Sequence, residues 1–379
     1  GRDLERMHGE GAAQYPNVLP PLHSFNTAER PEDEGIHVAP HLTSNLADVW
    51  SVPLRPHDIP LLWIPAPHTG SDAVRSVLTG CYGAVEAGDL AGSTHGMLLK
   101  VYRHEETGVR YVNLDVTDPK GVARAVKIGA PKLSAMVDIA IATDLHETSK
   151  MFGHVSSYSP DDEDIGRGRA FAVFRHPVHR AEDVYRDLIR SSHDSGSSFG
   201  MTLLEYSQSD LLEENPMVRS LSGEFFSRHK RAGAGPITAQ HVEVVKEVVR
   251  RKILVGLAEE MGRTLDRFEA YFGWRSGAGG RSLPLSGSEE GRACAKQAED
   301  RYASTDLVDA WPPRIGGGGG GDDTGEMEGG VGSARVGADS EEYVELARRN
   351  WADVQLYAYA RVLFSEQAAL LSSGGVPSP

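Results

Sequence analysis

The chain has 379 residues, a hydrophobic fraction of 40% and a formal net charge of −15. That length suits one large or two small domains with a sizeable core. The charge excludes binding to nucleic acid or an acidic membrane through the overall field, so an anion must be met by a local pocket. No apolar run reaches the roughly 20 residues that cross a bilayer. The longest, near Leu61–Ile64 and Asp138–Ala142, are strand-sized. The sequence starts at Gly1, which leaves room for a signal or membrane anchor upstream of residue 1. Cys81 and Cys294 are the only cysteines. They read as one disulfide or as two buried thiols, and their spacing fits no metal site.

Residues 1–57 are rich in Pro, His and charge and read as an irregular arm on a core. The core begins at Ile59–Ile64, a continuous apolar run of the kind buried on both faces of a parallel sheet. A helix follows from Ala73, capped by Ser71 or Asp72. Strands are expected at 111–115, 137–142, 170–174 and 253–257. Helices are expected at 121–128, 177–190, 239–251 and 263–272, the second opened by Pro177. Alternating strands and helices argue for an α/β domain with a parallel sheet. Residues 276–340, which hold the six glycines 316–321, read as a flexible insertion. One amphipathic helix is expected over 341–367, and a disordered tail over 368–379.

Three segments carry chemistry. The first is Pro67-His68-Thr69-Gly70-Ser71-Asp72, between a buried strand and a helix. Helix-terminal N–H groups, a glycine that admits close approach and two hydroxyls suit a phosphate or sulfate. An ordinary capped strand–helix turn has the same composition. No GxxxxGK[ST] pattern occurs, which argues against a nucleoside triphosphatase. The second is Phe174-Arg175-His176-Pro177-Val178-His179-Arg180, running on to Asp183. Arg175 ends a buried strand, at the sheet edge where open α/β folds bind ligands. Arg180 suits either an anion or a pair with Glu182 or Asp187. The third, Asn215–Gly223, reads in isolation as a polar loop with one cation, Arg219. The basic run Arg228–Arg231 fits a solvated loop or a contact with an anionic polysaccharide.

In order and spacing these segments resemble the sulfotransferases that use 3′-phosphoadenosine 5′-phosphosulfate (PAPS), in particular carbohydrate-type and algal sulfotransferase-domain proteins. The loop resembles their phosphosulfate loop, Arg175–Arg180 their 3′-phosphate motif, and Asn215–Gly223 their N-x-x-V-R-x-L-[ST]-G segment. Val255–Glu260 with Phe268–Trp274, and Asn350–Ala360, are also similar. The likeness covers about residues 58–275 and 341–367. It implies a P-loop-like three-layer fold with a central parallel sheet flanked by helices. It implies PAPS as donor co-substrate without a metal, a carbohydrate or other hydroxyl acceptor, and the Golgi lumen or secretory pathway. Pro67, His68, Thr69, Gly70, Ser71, Asp72, Arg175, Arg180, Asp183 and Arg219 are then the donor-binding residues.

This chain departs from that pattern at three positions. His68 stands where the family carries Lys, Asp183 where it carries Ser, and Asp72 where Thr or Ser is common. A neutral His donates one hydrogen bond and brings positive charge only when protonated. The cradle is therefore expected to be less cationic than the family's. Sulfuryl transfer also needs a base for the acceptor hydroxyl. Besides His68, the candidates are His146, Glu147 and His154, which follow the strand at 137–142. Two other readings stay open: a non-catalytic relative that binds a nucleotide or glycan, and a small-molecule kinase, which the missing Walker lysine disfavours.

Overall fold

The computed structural model describes residues 36–51, 54–55, 57–91, 98–153, 166–196, 198–223, 235–275, 282–304 and 335–372. His154, the run Arg228–Arg231, the glycines 316–321 and the tail beyond residue 372 lie outside the described residues.

Helix α1 (Pro40–Asn45) precedes strand β1 (Ile59–Trp63). Helix α2 (Ser71–Ser76) continues as a π-turn over Val77–Cys81. Strands β2 (Val85–Ala87), β3 (Val101–Arg103) and β4 (Arg110–Val112) follow. Then come α3 (Pro119–Ile128), α4 (Ala130–Ser134), β5 (Ile139–Ala142) and α5 (Leu145–Thr148). Strand β6 (Gly168–Phe174) leads into α6 (Pro177–Asp194), α7 (Leu203–Gln208), α8 (Pro216–Ser222) and α9 (Ala239–Lys252). Strand β7 (Ile253–Leu257), α10 (Met261–Phe272) and α11 (Glu289–Ser304) come next. Helices α12 (Glu341–Arg349), α13 (Trp351–Glu366) and α14 (Ala369–Ser372) end the described chain.

The strands form one seven-stranded sheet in the order β3-β4-β2-β5-β1-β6-β7. Only the β3–β4 pair is antiparallel. Strands β1, β6 and β7 are buried at every position, which accounts for their unbroken apolar runs. Alternate residues serve opposite faces. Ile59, Leu61, Trp63, Ala172 and Phe174 meet α3, α9 and α13 on one face. Leu62, Phe171, Val173 and Leu254 meet α2, α10 and α11 on the other. The architecture is thus α/β, with a mostly parallel central sheet flanked by helices, as expected.

The structure departs from the sequence reading in four places. Part of the expected irregular arm is built in, with Leu42 and Leu46 fully buried and their chain held by Lys252 Nζ donating to the Thr43 and Leu46 carbonyls. Asn215–Gly223 is not a loop, because Pro216–Ser222 is helix α8. Asp353 Oδ1 and Oδ2 accept from the backbone N–H groups of Val218 and Met217, which supplies the cap that the local sequence lacks. The expected single C-terminal helix is two, α12 and α13, broken at Asn350. Asn350 Oδ1 accepts from Asn215 N–H, and Asn215 Oδ1 accepts from the N–H groups of Ala352 and Asp353. The segment Asn215–Gly223 and the C-terminal helices therefore clamp each other. Finally, the span 276–340 is not wholly an insertion: α11 lies within it and packs through Ala295, Ala298 and Tyr302 against the sheet's second face. Cys81 and Cys294 form a disulfide, Cα–Cα 5.4 Å, that ties α11 to the π-turn after α2.

Candidate anion-binding site

From β1 the chain goes to one side of the sheet, through β2, β3, β4 and β5, whereas β6 and β7 lie on the other. The carboxyl ends of β1 and β6 therefore flank the point where the strand order reverses, the usual place for a ligand crevice in such sheets. The loop 64–70 and Arg175 both leave from these two ends.

The loop is held from both strands. Ser71 Oγ donates to the Trp63 carbonyl (3.2 Å) and accepts from Val173 N–H (3.3 Å). Thr69 Oγ1 donates to the Ala66 carbonyl (3.3 Å). Both residues are fully buried. Their hydroxyls brace the loop, a role the sequence reading assigned to ligand contact. Gly70 takes φ +93° and His68 φ +63°, left-handed conformations that glycine accepts readily and histidine does not. A non-glycine residue in that region marks a backbone fixed by its surroundings. Downstream, Arg75 sets the angle of α2 by a fork onto the fully buried Glu86 (2.9 and 2.6 Å) and a bond to Asp89 (2.5 Å). Asp72, in the first turn of α2, has its carboxyl pushed up by burial.

Arg175 reaches the loop. Its Nη1 donates to the His68 carbonyl at 3.0 Å, so the first two segments meet across β1 and β6. The guanidinium is 2% exposed and also pairs with Asp183, in the second turn of α6. Asp183 is fully buried and takes a second cation, Arg335 Nη1, at 2.6 Å. Glu182 shares Arg335 at 3.2 Å. Burial lowers the Arg175 guanidinium from its ordinary value, against the pull of Asp183. Arg175 Nη2 is buried and has no hydrogen-bond partner among the described residues. His68 Nε2 lies 3.8 Å from Asp187. Burial holds its imidazole below the ordinary value despite Asp183 and Asp187, so it is neutral at pH 7.

Arg180 is close enough for its charge to act on the His68 imidazole, and its Nε and Nη1 have no hydrogen-bond partner among the described residues. It is 1% exposed and turns to Glu213, whose carbonyl accepts from Nη2 at 3.2 Å and whose carboxylate lies 3.8 Å from Nη1. Arg219 spends its guanidinium on the carbonyls of Glu214 and Gly235 (both 3.0 Å). Among the expected bases, His146 bonds through Nε2 to the Leu221 carbonyl (2.8 Å) and through Nδ1 to His41 (3.0 Å), with both nitrogens engaged. Glu147 pairs with Lys150 at 2.5 Å. The hydrogen bonds of His146 and Glu147 lead to neighbouring helices, not to the loop.

The remaining wall comes from α11. A Cβ built on Gly70 would lie 2.6 Å from the Tyr302 hydroxyl, 3.1 Å from Val173 Cγ1 and 3.3 Å from Met261 Cε. Only glycine fits beneath that hydroxyl. Tyr302 Oη is itself buried and has no hydrogen-bond partner among the described residues. Neither Tyr302 nor Arg335 was singled out in the sequence. For Tyr302 a signal existed: Gly291, Ala295, Ala298 and Tyr302 recur at helical spacing, small or aromatic, within an otherwise polar stretch. Arg335, beyond the glycine run, carries no pattern of its own.

No family model, curated protein or solved structure matches this chain. Among the described residues no group of His, Cys, Asp and Glu is arranged to hold a metal, and no helix is long and apolar enough to cross a membrane.

Proposed function

We propose that the crevice between β1 and β6 binds PAPS in a P-loop-like fold, and that the chain transfers its sulfuryl group to a hydroxyl of a carbohydrate or similar acceptor. The observation that carries this reading is the bond from Arg175 to the His68 carbonyl, with Arg175 Nη2 left buried and unpartnered beside the loop. A buried N–H without a partner costs about 1–3 kcal/mol, which an anionic oxygen would recover.

The donor supplies an activated sulfuryl group whose leaving side is a phosphate. The chain's part is to bind and orient. Because Arg335 also pairs with Asp183, Arg175 keeps an N–H and its positive charge to offer a phosphate oxygen. The loop N–H groups face the donor's anionic end. His68 is neutral and near Asp187, so it is placed to take the acceptor's proton as the new S–O bond forms.

A second reading rests on Asp183. Its carboxylate lies on Arg175, where a phosphate would otherwise sit, as in a relative that has exchanged donor binding for an internal ion pair. Arg175→Ala separates the two. If the crevice binds the donor, this variant weakens binding of adenosine 3′,5′-bisphosphate about tenfold or more, the size of a charge-assisted hydrogen bond. Equal binding by wild type and variant contradicts the assignment of Arg175.

A further inference from the structure

Helix α11 supplies a group that the loop itself lacks. The loop holds no lysine, and its own hydroxyls, Thr69 and Ser71, are spent on the Ala66 and Trp63 carbonyls. Its His68 side chain faces Asp187. Besides Arg175 Nη2, the Tyr302 hydroxyl is a buried side-chain donor left over against the loop: its oxygen would be 2.6 Å from a Cβ on Gly70, and it has no partner among the described residues. Buried hydroxyls are nearly always satisfied, so an orphan of this kind needs an explanation. The helix that carries it is fixed by Cys81–Cys294 to the same π-turn that continues α2. Loop and hydroxyl are thus tied to one frame from both sides.

We propose that Tyr302 is a ligand-binding residue, its hydroxyl donating a hydrogen bond to an anionic oxygen seated between Gly70 and Arg175. The disulfide holds it in register with the loop. Tyr302 takes over, as a neutral donor, the contact that a cation at position 68 would make. Burial pushes its phenol well above the ordinary value, so the proton stays on the oxygen and available for donation at neutral pH. Arg175 is the strongest of the cations that oppose this. The inference rests on the crevice being an anion site. It does not depend on the anion being a phosphoadenosine.

Calorimetric titration of the full chain and of Tyr302→Phe, each with adenosine 3′,5′-bisphosphate and with inorganic sulfate, tests it. Phe keeps the ring packing and removes only an unsatisfied hydroxyl, so the variant should melt at or above the wild-type temperature. The expected result is bisphosphate affinity about tenfold weaker in Tyr302→Phe. Unchanged or tighter binding would overturn the role of Tyr302 and leave the donor assignment standing. Sulfate binding that weakens in Tyr302→Phe, with no bisphosphate binding to either protein, would keep Tyr302 and remove the phosphoadenosine reading. If neither probe binds wild type, both fall.

Discussion

Replacing Gly70 by alanine probes the closest approach in the site. Two costs arise from the structure. The backbone sits at φ +93°, where an L residue is strained by about 1–2 kcal/mol. The new methyl also meets Tyr302 Oη at 2.6 Å, Val173 Cγ1 at 3.1 Å and Met261 Cε at 3.3 Å. Overpacking of that kind costs about 1–3 kcal/mol. Gly70→Ala should therefore lose about 2–5 kcal/mol. The first cost belongs to the backbone and survives any change at Tyr302. The second falls largely on the hydroxyl, so Gly70→Ala made in a Tyr302→Phe background should cost at least about 1 kcal/mol less. Urea denaturation of the four proteins, followed by tryptophan fluorescence at constant m-value, reads the cycle. Additivity within about 0.5 kcal/mol would refute the placement of the hydroxyl over the loop.

Reduction of Cys81–Cys294 frees a loop of 213 residues, which by chain entropy is worth up to about 5 kcal/mol. Cys294→Ser should lower the melting temperature by several degrees and remove its sensitivity to reductant; an unchanged melting curve contradicts the pairing. His176 is 8% exposed, stacks on Tyr343 and has its imidazole pushed down to about 3 by burial. Its folded value lies below its unfolded value, so the stability it contributes is present above about pH 6.5 and is lost as pH falls toward 3. The loss approaches about 1.4 kcal/mol per pH unit, and His176→Gln should flatten that slope in pH-dependent melting. A slope identical to wild type would mean that His176 titrates normally.

The parts of the fold legible in the sequence are those whose burial is two-sided. Strands β1, β6 and β7 announce themselves because every side chain in them is enclosed. Strands β2 and β3 have three residues each and went unread. Strand β3 lies at the sheet's edge with Val101 45% exposed. Helix α8 was hidden because its cap, Asp353, lies far downstream in the chain. The same holds for the break at Asn350, which only Asn215 explains. Long-range hydrogen bonds of this kind leave no local periodicity.

In the site, Arg175 was legible from its place at a strand end, and its bond to His68 joins the first two segments. Arg219 was not. An arginine followed by a helix reads alike whether it meets an anion or, as Arg219 does here, the carbonyls of Glu214 and Gly235. Asp183 was expected to make the cradle less cationic. Its neutralisation by Arg335 depends on chain beyond the glycine run, which no spacing rule connects to α6. Tyr302 lies on a helix whose polar composition resembles its surroundings, and only the spacing of its small residues sets it apart.

The central claim is that the crevice between β1 and β6 holds a phosphoadenosine. Calorimetric titration of the full chain with adenosine 3′,5′-bisphosphate, repeated with adenosine 5′-phosphate, tests it most directly. The chain should bind the bisphosphate saturably at one site and the monophosphate clearly more weakly, because one phosphate's contacts are missing. Absence of saturable binding of the bisphosphate at millimolar concentration would contradict it.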